Sequence, residues 1–208
     1  GWKQNEWRWL CSDFPSTWRE FPQAMWQGED LIDKKILVWS EQGIGDEIMF
    51  ANTLPELAQK SGKVVIECNN RLVPIFERSF EGVTAVARQE PADPQIENTD
   101  ADFQIPVGSI CKLYRKTADD FPTEPGGYLK SDPNLTAEIA ARYASLGEGM
   151  KVGISWRSGN PIVGHERSIP LDMWDEILSS AGCQFINLQY GEVEDDLAGV
   201  LARTGVTV

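Results

Sequence analysis

Ile36-Leu37-Val38-Trp39-Ser40-Glu41-Gln42-Gly43-Ile44-Gly45-Asp46 decides the fold: four apolar residues in a row, a polar loop holding two glycines, then an acid at the start of a helical pattern. A continuous apolar run of that length reads as a parallel strand covered on both faces. From Asp46 to Lys60 the apolar positions Ile48, Met49, Leu54, Leu57 and Ala58 follow a helical spacing. The unit is therefore strand, glycine loop, helix. It recurs as Val152-Gly153-Ile154-Ser155-Trp156 followed by Arg157-Ser158-Gly159-Asn160. Two such loops predict a two-domain α/β enzyme that meets two halves of its substrate.

Between the two runs the α/β rhythm continues. Gly62 is expected to stop the first helix, and Val64–Cys68 gives a second strand. Asn70–Phe80 gives a helix with Pro74 in its first turn, and Gly82–Val86 leads into a third strand. Residues 88–133 are rich in Pro, Asp and Gly, with a short strand expected near Asp100–Ile105 and a short helix at Ile110–Tyr114. Leu135–Leu146 reads as helix. After Val152–Trp156 come a long polar loop, a helix from Leu171 to Ser180, a strand Cys183–Leu188, a helix Asp195–Thr204 and the opening of another strand at Val206-Thr207-Val208. Ahead of all this, residues 1–29 carry Trp2, Trp7, Trp9, Trp18 and Trp26 with Phe14 and Phe21, too much aromatic surface to stand in water. That segment is expected to pack on the domain that follows it.

The formal charge is −13, split as −1 over residues 1–29, −7 over 30–146 and −5 over 147–208. No segment supplies the basic surface that a phosphate backbone needs, so nucleic acid is not an expected partner. Cys11, Cys68, Cys111 and Cys183 are widely spaced without a CxxC pair, which predicts reduced thiols rather than a disulfide framework or a thiolate zinc site. No apolar stretch approaches the roughly 18 residues of a membrane span, and the first residues lack the pattern of a secretory leader. A cytoplasmic protein is expected. The chain opens on Gly1-Trp2 without an initiator Met, as a fragment or processed chain would.

Two loops carry the candidate chemistry. Gly43 and Gly45 are expected to let the backbone turn sharply and approach a ligand, with free N–H groups of the next helix behind them. The spacing is not the dinucleotide fingerprint, because Ile48 stands where its third glycine belongs, so no NAD or FAD site is predicted. Asp46 is either a helix-capping acid or a general base. A helix dipole lowers carboxylate basicity and argues mildly against the second role. Glu41 is the rival base, or a solvated loop acid. In the second loop, Lys151, Arg157 and Arg167 against Glu166 make a net +2 island in an acidic chain, the best local sign of an anionic ligand. Ser155, Ser158 and Asn160 add neutral donors. Arg167 either clamps a diphosphate or pairs with Glu166 or Asp172. His165, the single histidine, cannot assemble a His-rich metal site, and Asp100-Ala101-Asp102 reads as a strand start, so no metal is predicted.

The sequence also resembles a family: bacterial tetratricopeptide-repeat proteins whose C-terminal half is similar to glycosyltransferases of the two-Rossmann-domain (GT-B) architecture, related to heptosyltransferases (glycosyltransferase family 9) and more distantly to O-linked N-acetylglucosamine transferases. Gly1–Trp9 resembles the end of the repeat array, and Pro22–Leu31 the linker. Glu41-Gln42-Gly43-Ile44-Gly45-Asp46 resembles the first glycine loop, and Tyr128-Leu129 the end of the first domain. Arg167–Leu171 and Asn187–Gly191 resemble the start of the second. The resemblance implies an aromatic linker at 1–29, an acceptor-side Rossmann-like domain at 30–149 and the beginning of a nucleotide-sugar domain at 150–208. The family's Asp-Thr and His-Leu-Ala-Gly donor segments would lie beyond Val208, and its repeats ahead of Gly1. It implies sugar transfer from a nucleotide-sugar donor to a hydroxyl acceptor by the intact parent, with Asp46 placed like the heptosyltransferase catalytic Asp; no cofactor is expected. The alternative is a non-catalytic scaffold in which repeats recruit a protein partner. The isolated fragment is expected to self-associate through its unfinished sheet.

Overall fold

Five strands, β1 (Ala24–Met25), β2 (Leu31–Trp39), β3 (Ser61–Cys68), β4 (Val83–Ala87) and β5 (Phe103–Pro106), form one sheet in the order β1-β5-β2-β3-β4, with every pairing parallel. The computed structural model describes residues 1–122, 126–160 and 163–208. It divides into two units, Gly1–Asp132 and Pro133–Val208. The sheet, with the helices α1 (Trp2–Asn5), α2 (Ile44–Phe50), α3 (Leu54–Lys60), α4 (Val73–Ser79), α5 (Pro94–Glu97) and α6 (Ile110–Tyr114), makes the first unit a Rossmann-like α/β fold.

Ile36, Leu37, Val38 and Trp39 are all fully buried, as a strand covered on both faces requires. Side chains alternate across the sheet, so Ile36, Val38, Val64, Ile66 and Ile105 share one core with Phe50, Leu54, Leu57, Leu72, Phe76 and Ile110 of the helices. Leu37, Val65 and Val86 meet Ile96 of α5 on the opposite face, with Phe21 packed against them. The aromatic segment completes this second face. Trp9, Trp18 and Phe21 close on Trp39 with ring centroids 5.5, 5.4 and 6.5 Å away, and Trp26 is buried in the first core. Trp7 stands exposed, and Trp18 stays 44% exposed despite its contact with Trp39.

Several elements differ from the sequence expectation for physical reasons. The single helix expected over Asp46–Lys60 is α2 and α3 joined by a 3-10 turn, Ala51–Thr53. Pro55 lacks the N–H an unbroken helix would use and is accommodated in the first turn of α3. Gly62 is not a helix stop: it lies inside β3, where a Cβ would come within 2.9 Å of the Asp33 backbone. The sharp turn after β2 is made by Gln42 at φ 64°, while neither Gly43 nor Gly45 is left-handed. The two-residue edge strand β1 lies within the aromatic segment, where no strand was expected.

In the second unit, α7 (Pro133–Ala144) precedes β6 (Met150–Ile154), and β6 pairs in parallel with β7 (Cys183–Asn187). The expected helix over Leu171–Ser180 is a 3-10 turn, Leu171–Trp174, followed by the short α8 (Asp175–Leu178). α9 (Glu194–Thr204) ends at Gly205, left-handed at φ 72° as a C-terminal cap. Ile154, Trp156, Leu171, Leu178, Phe185 and Val200 form this unit's core. Val206–Val208 is not a strand. It has no ladder partner among the described residues, and Val206 and Val208 instead pack against that core.

Candidate functional site

In an open parallel sheet, ligands favour the carboxyl ends of the strands where the strand order changes direction. Here β3 and β4 lie on one side of β2 and β5 on the other, so that point lies between the loop after β2 and the loop after β5. It is filled by the chain itself. Arg8 donates from Nε to Glu41 Oε2 at 2.6 Å and from Nη2 to Glu41 Oε1 at 2.7 Å, and Nη2 also reaches Ser109 Oγ at 3.0 Å. Gly108 N–H adds a third donor to Glu41 at 2.9 Å. Glu41 is completely buried, so this carboxylate is committed to internal donors and is not presented to a ligand as a free base. Burial pulls the Arg8 pKa down, but its hydrogen bond and charge attraction to Glu41 outweigh that and hold the guanidinium above its ordinary value.

A second pair of the same kind sits one strand over. Glu67 is the register partner of Trp39, on the face that the aromatic segment covers. Arg19 meets it with Nε 3.0 Å from Oε2 and with Nη2 on Oε1, and also bonds Glu90 and the Gln89 carbonyl. Burial pushes the Glu67 carboxyl up, an effect that Arg19 and Arg88 only partly offset. Neither Arg8, Arg19 nor Glu67 was anticipated as a site residue. The readable signal was a lone acid inside the apolar strand Val64-Val65-Ile66-Glu67-Cys68, since a buried carboxylate demands a cation.

Asp46 occupies the first turn of α2, half-buried, and its Oδ2 accepts the Gly43 N–H at 3.1 Å. Gly43 and Gly45 flank it without lining a closed cavity, and a Cβ on Gly45 would meet nothing within 4 Å. The acid beside it, Glu47, is 6% exposed, and its Oε2 accepts the Asn69 N–H at 2.8 Å. Burial pushes the Glu47 carboxyl up, with Asp46 and Glu67 adding to the shift and Asn69 and Arg88 opposing it. Glu47 lines a polar crevice of about 630 Å³ over the ends of β2, β3 and β4. A groove of about 550 Å³ that includes Trp26 and Tyr114 lies instead at Leu31, the opposite end of β2.

In the second unit the loop after β6 is organised by Gln189, whose Oε1 accepts from Ser155 Oγ, Trp156 N–H and Arg157 N–H at 3.0, 3.1 and 2.9 Å. Arg157 is ion-paired to Asp196 at 2.9 Å and also donates to the Glu192 carbonyl. Ser158 N–H donates to Ser168 Oγ, and Asn160 Oδ1 accepts the Val163 N–H at 3.1 Å, closing the loop on itself. Pro161 and Ile162 of the predicted loop lie outside the described residues. Arg167 is exposed and forms no salt bridge within the described residues, to Glu166, Asp172 or any other acid. Ser155, Arg157, Ser158, Arg167 and Trp174 line a cleft of about 230 Å³. His165 is exposed, 3.9 Å from Glu166. Among the described residues no group of three His, Cys, Asp or Glu is placed to hold a metal, and no helix is long and apolar enough to cross a membrane.

Fold and strand-end geometry define a Rossmann-like α/β unit whose switch point is closed by its own N-terminal segment. No protein-family model matches the chain, and no solved structure does. The chain is 34% identical, over 223 residues, to Protein FlbA of Caulobacter vibrioides. The similarity covers 100% of this chain and 37% of that protein, so the chain spans little more than a third of its relative's length.

Proposed function

We propose that the chain is part of a glycosyltransferase-like protein that moves a sugar from a nucleotide-sugar donor to a hydroxyl acceptor, with the donor taken by the second unit and the acceptor by the first. The observation that carries the reading is the cleft after β6, where Arg167, exposed and without a salt bridge among the described residues, stands beside Ser155 and Ser158. A guanidinium without an internal carboxylate is available to a diphosphate and to the charge that grows on it as a sugar departs. Trp174 lines the same cleft, and its buried indole N–H has no partner within the described residues. The nucleotide-sugar class itself comes from the resemblance of the loops to the GT-B family.

Asp46 is the proposed base, held by Gly43 N–H in a fixed rotamer. Donor hydrolysis or transfer by the intact parent protein tests this: Asp46→Ala should abolish activity while the circular dichroism stays unchanged. Activity untouched by that substitution removes Asp46 from the mechanism. The non-catalytic scaffold is the second reading, favoured by the internal commitment of Glu41 to Arg8 and of Arg157 to Asp196. Inactivity of the parent towards a broad set of nucleotide sugars would select it.

A further inference from the structure

The loop ends of unit 1 are not equally available. At the switch point, Arg8, Glu41, Gly108 and Ser109 saturate one another. One strand over, the carboxyl ends of β2, β3 and β4 open into the 630 Å³ crevice lined by Ser16, Gln42, Glu47, Asn69, Asn70 and Arg88. We infer that unit 1 binds its ligand in this displaced crevice, with Glu47 as the acceptor at its floor, and that the ligand is a small uncharged polyhydroxyl compound of saccharide type.

Three observations support the ligand class. The lining is rich in side-chain amides, Gln42, Asn69, Asn70 and Gln89, each able to donate and accept as sugar hydroxyls do. Its charges do not favour an anion: Glu47 and Glu90 face one guanidinium, Arg88, which already donates to the Ser40 carbonyl at 2.7 Å. It holds no aromatic side chain, so a planar base has nothing to stack on. The crevice is also built rather than incidental. Ser16 of the aromatic segment accepts the Gln42 N–H and forms one wall, and Arg19 fixes the opposite rim through Glu90 and the Gln89 carbonyl. Among the described residues Glu47 is anchored through one oxygen only, by Asn69 N–H, which leaves its other carboxylate oxygen to accept from a ligand hydroxyl. The inference gives the acceptor of the proposed transfer a chemical class, and it rests on that reading only for the use made of the bound hydroxyl.

The test is a ¹H–¹⁵N titration of the 208-residue chain with glucose, galactose, mannose and N-acetylglucosamine into the tens of millimolar range. At least one should shift the side-chain amides of Gln42, Asn69, Asn70 and Gln89. Glu47→Gln, and separately Asn70→Ala at an exposed position, should each weaken that binding about five-fold or more, with circular dichroism unchanged. No shift in those amides with any of the four sugars, or affinity unaltered in both variants, overturns the inference. A nucleoside diphosphate titrated in parallel separates the two readings. Nucleotide shifts at 155–168 with no sugar-induced shifts at the crevice leave the donor site standing and remove this one, and sugar-induced shifts at the crevice with no nucleotide shifts at 155–168 do the opposite.

Discussion

Replacing Arg8 by Met is the sharpest perturbation of the first unit, because it keeps the apolar stem and deletes the charge. Glu41, completely buried, loses the donors at 2.6 and 2.7 Å and keeps only Gly108 N–H at 2.9 Å. Leaving a buried charge without its partner costs about 3–5 kcal/mol. At roughly 3–4 °C per kcal/mol for a unit of this size, the melting temperature should fall by about 10–20 °C. The reverse deletion should be milder. In Glu41→Gln the guanidinium keeps Glu6 at 2.9 Å, so its charge is not stranded. The double variant should recover much of the Arg8→Met loss, since no unpaired charge remains. Urea unfolding followed by tryptophan emission suits the measurement, because Trp9, Trp18 and Trp39 cluster in the same segment and unit. An Arg8→Met loss below about 1 kcal/mol, or a double variant as unstable as the sum of the singles, would refute the claim that this pair seals the switch point.

Three further outcomes are expected. Gly108→Ala places a Cβ 2.5 Å from Glu41 Oε1 and 3.2 Å from the Phe50 ring, and should cost about 1–3 kcal/mol by urea unfolding. Glu47→Gln should stabilise the protein at pH 7.5: a folded-state pKa raised above the ordinary 4.5 means that wild-type stability is greatest with the carboxyl neutral and declines as pH rises through the folded value, so the variant's advantage should vanish towards pH 4.5. Burial pushes the Cys68 and Cys111 thiols up to about 12 and about 11, whereas Cys11 is exposed, so iodoacetamide at pH 8 should label Cys11 first, as read by peptide mass spectrometry.

What the sequence disclosed was set by distance along the chain. The apolar runs at Ile36–Trp39 and Val64–Cys68 signal their strands locally, and parallel pairing follows from the helices between them. Pro55 was a visible breaker within the helical pattern it interrupts. The closure of the switch point was not legible, because Arg8 and Glu41 are 33 residues apart and Arg19 and Glu67 are 48 apart, and no periodicity links them. Glycine content likewise pointed to the wrong residues in the first loop: the left-handed position is Gln42, whose N–H is held by Ser16 from the distant aromatic segment. The second loop was better marked, since a local reversal of charge needs no tertiary information. Even so, Gln189 and Asp196, which organise Ser155 and Arg157, lie more than 30 residues away.

Nucleotide binding at the loop after β6 is the most direct test of the proposed function. Titrating UDP, GDP, CDP and ADP separately into the isotopically labelled chain, at two salt concentrations, reads both the position and the electrostatic character of the contact. Two or three charge-assisted hydrogen bonds at an exposed cleft compete with water and with an association cost of roughly 4–15 kcal/mol, so affinity should be about millimolar and weaker at high salt. At least one nucleotide should shift residues 155–160 and 163–168, and Arg167→Ala should remove those shifts while Lys151→Ala, outside the cleft lining, leaves them in place. Absence of shifts with all four nucleotides, or shifts that survive Arg167→Ala, would contradict the assignment of this loop to a nucleotide-sugar donor.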